Sequence, residues 1–182
     1  MSFSTFGRAI GINVKSTTAL TDATLPVSAD KTYFAGRPVT IVLSGSAGTE
    51  TLVPFDSASM NVKVVGLCKF NKNSYADESF GASTGMYGST RGTFVTKTIV
   101  EVSPNYFTNL ASGTEVTVAN YTSDLLSANP MTPLYVSLNQ ATLGQITSVL
   151  VSSGAGQNDA TLFGYLLVAP SATNPVATIL LV

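Results

Sequence analysis

Two apolar runs in the last third of this chain are short and bounded by the turn residues proline and asparagine. That punctuation limits what the chain can fold into more than any other feature. Pro133-Leu-Tyr-Val-Ser-Leu138 is entered through Asn129-Pro130 and left through Asn139-Gln140, while Leu162-Phe-Gly-Tyr-Leu-Leu-Val168 stops before Pro170 and is followed by the terminal run Val176 to Val182. Both runs are β-branched or aromatic and too short for ordinary helices, so they read as strands. The pattern occurs earlier too, where Arg37-Pro-Val-Thr-Ile-Val-Leu43 is followed by Val64-Val-Gly-Leu-Cys68. Pro38 precedes Gly66 by 28 positions and Pro133 precedes Gly164 by 31. A proline-opened strand, a loop-rich excursion and a glycine-containing strand therefore occur twice, as a pseudo-repeat.

Composition points the same way. Only 10% of the 182 residues are charged, well below the roughly 25% usual in soluble domains, so hydroxyl groups must supply much of the polar surface. Serine and threonine provide 21 and 24 residues, and threonine and valine suit a pleated surface. Exposed helix faces would need more Glu, Lys and Arg than this chain has. The expectation is an all-β fold, a β-sandwich or β-barrel over residues 25–182, with residues 1–24 as an extended N-terminal arm and linker.

The same counts exclude several functions. The chain has no histidine and a single cysteine, Cys68, which removes histidine general bases, Ser-His-Asp triads and mixed nitrogen–sulfur zinc sites formed by this chain alone. Cys68 lies in an apolar strand and reads as a small buried hydrophobe. Nine basic and ten acidic residues are scattered along the chain and sum to −1, so no basic face for nucleic acid is visible. No apolar stretch is long enough for a membrane-spanning helix, and the N-terminus lacks a secretory apolar core. Asn120-Tyr-Thr122 matches a glycosylation sequon and reads as chance. No phosphate-cradling glycine motif, no preferred carboxylate pair and no cofactor site emerges, and the chain reads as a non-enzyme.

Along the chain, Ile10, Ile12 and Val14 alternate with polar or glycine positions. This is either an edge strand of the domain's own sheet or part of an arm that adds to a foreign sheet edge, with Phe3, Phe6, Ile10 and Ile12 as anchors. Strands are expected at Leu25–Val27, Tyr33-Phe34, Pro38–Leu43, Thr51–Val53, Met60–Phe70, Gly92–Val102 and Gly113–Val118. The stretch from Val62 to Phe70 should be buried on both faces for part of its length. Ser103–Leu110 and Tyr121–Leu126 could each hold a helical turn, and Leu143–Val151 leans to strand. Residues 71–91 form the least regular segment, in which Tyr75, Phe80, Met86 and Tyr87 are candidate contact residues with Asp77, Glu78 and Arg91 as a polar rim.

The layout resembles the capsid decoration, or cement, proteins of tailed double-stranded DNA bacteriophages. The resemblance rests on Gly36-Arg-Pro-Val-Thr, on Val65-Gly-Leu followed by Asn71-Lys-Asn-Ser-Tyr and Asp77-Glu78, on Leu134-Tyr-Val-Ser-Leu-Asn before Gly144-Gln-Ile-Thr, and on Phe163-Gly-Tyr-Leu-Leu before Pro170. It covers roughly residues 34–182 and is one of pattern. It implies a virion protein on the capsid exterior that ties major capsid protein subunits together, commonly as a homotrimer. Two other roles fit the residues: a carbohydrate-binding or adhesin-type module of a tail fibre, and another head or tail structural component.

Overall fold

A computed structural model of the chain describes residues 12–14, 22–28, 31–44, 49–57, 63–69, 91–109, 115–150 and 162–182. Thirteen strands are present among them: β1 (Ile12–Val14), β2 (Asp22–Pro26), β3 (Pro38–Ser44), β4 (Thr49–Pro54), β5 (Gly66–Cys68), β6 (Arg91–Val95), β7 (Ile99–Val102), β8 (Asn105–Asn109), β9 (Glu115–Ala119), β10 (Pro133–Val136), β11 (Ile146–Thr147), β12 (Gly164–Val168) and β13 (Ala177–Leu181). A 3-10 turn at Ser123–Ser127 is the helical element among the described residues. The chain is all-β, as its punctuation predicts.

The strands form a six-stranded sheet in the order β1-β7-β13-β12-β10-β11, a five-stranded sheet in the order β2-β6-β5-β3-β4, and the hairpin β8-β9. Every pairing of named strands is antiparallel. The two larger sheets share one core, in which Leu67 and Val95 from the five-stranded sheet meet Val100, Val102, Leu134, Ile146, Leu166 and Ile179 from the six-stranded one. A second cluster, Tyr33, Val39, Leu52, Cys68 and Phe94, covers the other face of the five-stranded sheet. Leu67 and Cys68 are adjacent and point into different clusters, so β5 is buried on both faces as expected. Cys68 is fully buried, as a small apolar side chain of the core. The six-stranded sheet instead buries alternate residues along β7, β10 and β13.

The pseudo-repeat is present at the level of individual hydrogen bonds. Pro38 stands opposite Leu67 and Val39 opposite Gly66 in the β3–β5 pair, while Pro133 stands opposite Tyr165 and Leu134 opposite Gly164 in the β10–β12 pair. Each proline thus faces the residue after the glycine. A turn precedes each strand, closed by Arg37 N–H to the Phe34 carbonyl and by Thr132 N–H to the Asn129 carbonyl, both at 3.2 Å. Its third residue has positive φ in both, +90° at Gly36 and +64° at Met131. Three cross-strand bonds then match in order. Gly36, Cys68 and Val65 N–H donate to the carbonyls of Cys68, Arg37 and Val39, and Met131, Leu166 and Phe163 N–H donate to those of Leu166, Thr132 and Leu134. Even the two isolated parallel bridges correspond, Val27 with Leu52 and Tyr121 with Ile146. The four-strand order β4-β3-β5-β6 is matched by β11-β10-β12-β13, and we call these the first and second units.

Both repeat glycines are steric requirements. A Cβ on Gly66 would lie 2.1 Å from the Val95 carbonyl oxygen, and one on Gly164 would lie 2.5 Å from that of Leu180. Only a residue without a side chain lets the glycine strand pass this close to its neighbour.

Several expectations change. The run from Gly92 to Val102, expected as one strand, is divided into β6 and β7 at Lys97, whose φ of +50° turns the chain from one sheet into the other. Ser103–Leu110 holds no helical turn over its described part. Residues 105–109 are β8, because the threonine- and valine-rich β9 is available in register as a partner, Asn105 to Ala119 through Asn109 to Glu115. Tyr33 and Phe34 lie outside the named strands. Over its described part Leu143–Val151 contributes the two residues of β11, and the 3-10 turn begins at Ser123 within the helical turn expected for Tyr121–Leu126. The boundary drawn at Leu25 falls inside β2, which starts at Asp22. Ile12–Val14 pairs with β7 as the edge strand of the chain's own sheet, the first of its two expected forms.

Candidate functional site

The described residues enclose a cleft of about 360 Å³ between the first unit and the loop that leads to β11 in the second. Its apolar walls are Phe34, Pro38, Val39, Pro54, Phe55 and Leu143, and its polar groups come from Lys31, Thr32, Arg37 and Asp56. Local sequence explains how the walls meet. The turn at Gly36 aims Arg37 into the opening of β3, and Gly144, with φ of +75°, brings the other wall so close that a Cβ there would stand 2.6 Å from the Phe55 carbonyl oxygen.

Arg37 lines the cleft. Its guanidinium sits 5.0 Å above the Phe34 ring, a cation–π distance. One Nη donates to the Leu143 carbonyl at 3.3 Å and the other to the Ala119 carbonyl at 2.5 Å, while Nε is buried and has no hydrogen-bond partner. No carboxylate of the described residues pairs with it. Desolvation by burial pulls its pKa down to about 10, so it stays cationic at neutral pH with no counter-ion among the described residues. At the rim, Lys31 Nζ and Asp56 form an ion pair at 2.7 Å that is solvent-exposed and cancels its own charge.

A second polar cluster locks the 3-10 turn to β11. The Asp124 carboxylate accepts from Ser148 N–H at 2.7 Å, Ser148 Oγ at 2.6 Å, Thr147 Oγ1 at 3.2 Å and Thr122 Oγ1. Burial alone would raise its pKa, but the hydrogen bonds from Ser148 and Thr122 outweigh burial and hold it below the usual carboxylate value. The first unit secures its matching parallel bridge differently. There the buried Tyr33 hydroxyl donates to the Leu52 carbonyl at 2.6 Å and accepts from Ser28 N–H at 3.0 Å.

Of the contact residues expected from sequence, Phe3, Phe6, Ile10, Tyr75, Phe80, Met86 and Tyr87 lie outside the described residues, as do Asp77 and Glu78. Ile12 lies in β1. Asn120, the sequon residue, is fully buried and its Nδ2 donates to the Ser103 carbonyl at 3.2 Å, which leaves no room for a glycan in the folded chain. Sequence reasoning did not select Arg37. The available signal was a charged residue wedged between Gly36 and Pro38 at the mouth of an apolar strand, in a chain with only nine basic residues. Among the described residues no group of three or more Cys, Asp or Glu is placed to hold a metal ion.

Comparison with known protein families finds no matching family model, and comparison with curated proteins finds no match.

Proposed function

We propose that this chain is a non-enzymatic structural protein of a bacteriophage virion, which decorates the capsid exterior and bridges major capsid protein subunits, as a homotrimer. The observation that carries this reading is that, among the described residues, segments bearing the resemblance build the two central strand pairs of the fold. Gly36-Arg-Pro-Val-Thr and Val65-Gly-Leu form the β3–β5 pair, and Leu134-Tyr-Val and Phe163-Gly-Tyr-Leu-Leu form the β10–β12 pair in the same register.

The surface adds support. Leu126, Met131, Val149, Leu150 and Val168 are each about half exposed, between 49% and 57%. The β10–β11 and β10–β12 registers put the start of β10 beside the ends of β11 and β12, so Met131, Val149, Leu150 and Val168 gather at one end of the six-stranded sheet. An exposed apolar cluster of this kind suits a chain that is buried against neighbours in an assembly.

A mass-spectrometric inventory of purified virions tests the proposal, with this chain expected in copy numbers comparable to the major capsid protein. Capsids stripped of the chain should then carry the added purified protein down on sedimentation. A chain that stays in the supernatant, and that instead binds defined sugars on a glycan array, would replace the decoration role with the tail-fibre one.

A further inference from the structure

The cation in the cleft has more charge than its structural task uses. In the second unit Thr132 occupies the place of Arg37, directly after the positive-φ residue of the matching turn and donating to the equivalent turn carbonyl, so the turn architecture does not need a guanidinium. The two carbonyl bonds of Arg37 tie the first unit to the loop before β11 and to the end of β9, but carbonyls are neutral and leave the charge uncompensated. A partly buried cation without a counter-ion costs stability that an anion would restore.

We infer that the cleft over Arg37 binds a single carboxylate carried on an apolar stem, the chemistry of a glutamate or aspartate side chain flanked by apolar residues on a partner polypeptide. The charge count favours one negative charge. Among the described residues that line the cleft, Lys31 and Asp56 cancel at the rim and leave the one positive charge of Arg37, which a single negative charge balances. The walls of Phe34, Pro38, Val39, Pro54, Phe55 and Leu143 favour an apolar stem over a free hydrated ion. The volume of about 360 Å³ admits an acidic side chain with one or two flanking residues. The inference stands apart from the virion reading, since the same chemistry would serve any protein partner.

The test uses the full chain, labelled with nitrogen-15, titrated with the peptide acetyl-Phe-Glu-Leu-amide, its glutamine counterpart, 4-phenylbutyrate and inorganic phosphate. The glutamate peptide should shift the amide resonances of Phe34, Arg37 and Gly144, and the glutamine peptide should bind about tenfold more weakly or worse, as expected when a charge-assisted bond becomes a neutral one. Binding of 4-phenylbutyrate as tightly as the peptide would assign the cleft to a small organic acid and overturn the partner-polypeptide source. Arg37→Gln should abolish the preference for glutamate. Leu143→Trp, which keeps Arg37 and the Leu143 carbonyl but fills the cleft, should block binding while the melting temperature is retained, and this guards against an Arg37→Gln variant that fails to fold. Equal binding of the two peptides, tighter binding of phosphate, shifts outside the cleft, or no binding of the glutamate peptide would each overturn the inference.

Discussion

The first and second units share a register to the residue yet hold it by different chemistry. In the first, the turn before the proline strand takes its positive φ from Gly36, and the parallel bridge between Val27 and Leu52 is secured by the neutral, buried Tyr33 hydroxyl. The second takes its positive φ from Met131 and secures the Tyr121–Ile146 bridge through the charged Asp124 carboxylate. What the two have in common is backbone hydrogen bonding and the steric demand of a glycine; what differs is side-chain chemistry. The architecture is therefore carried by the proline, the glycine and the strand pattern, and each unit is free to vary its fastening.

The glycines test the shared part and give the largest expected effect. Gly66→Ala forces a methyl group against the Val95 carbonyl oxygen and should cost about 3 kcal/mol or more, whereas Gly164→Ala, with 0.4 Å more room, should cost about 2 kcal/mol. Urea denaturation of both variants measures the difference. Equal and negligible losses would mean that the two strands can separate without cost, and the common register would lose its physical basis.

Next come the fastenings. Tyr33→Phe leaves the buried Leu52 carbonyl and Ser28 N–H without their hydroxyl partner and should destabilise by about 2 kcal/mol at any pH between 4 and 9. Asp124→Asn should cost about 1 kcal/mol at pH 7, the figure being reduced because the carboxylate is only partly buried. Its pH dependence separates the units. The folded-state pKa of Asp124 lies below the unfolded value, so its contribution is present in full above the unfolded pKa, about 4, and is lost as pH falls through the lower folded value. Acid should raise hydrogen exchange at Ser148 N–H before it affects Ser28 N–H, and Asp124→Asn should remove that order.

The turns give the smallest effect, with opposite signs. Met131 pays a left-handed backbone cost that glycine avoids, and its side chain is 57% exposed, so Met131→Gly should be stabilising by about 0.5 kcal/mol. Gly36→Ala, at the matching position, should be destabilising by about 1 kcal/mol or more. Thermal melts of the pair decide whether the turns are equivalent in energy as well as in shape. A Met131→Gly variant less stable than the parent would show that the exposed methionine makes contacts that the shared geometry does not require.

Much of the fold was legible in the chain. Pro38 and Pro133 open β3 and β10 and Pro170 follows the end of β12, as the punctuation predicts, whereas Gly66 and Gly164, expected inside their strands, begin β5 and β12. The candidate site was not. Arg37 acquires its meaning from the Ala119 and Leu143 carbonyls, 82 and 106 positions away, and no local pattern announces contacts at that range.

The difference lies in the range of the physics. Proline restricts φ and lacks an N–H, glycine alone tolerates crowding or positive φ, and β-branched runs prefer extended backbone, so strand positions and their breaks are set within a few residues and were determined by the sequence itself. The choice of neighbour is different, because antiparallel pairing offers every strand the same backbone donors and acceptors, and side-chain burial across the whole core selects among them. That is why only the tertiary structure decided that Lys97 turns one extended run into strands of two sheets, that Asn105–Asn109 pairs as β8 instead of turning as a helix, and that a lone guanidinium ends up between the two units.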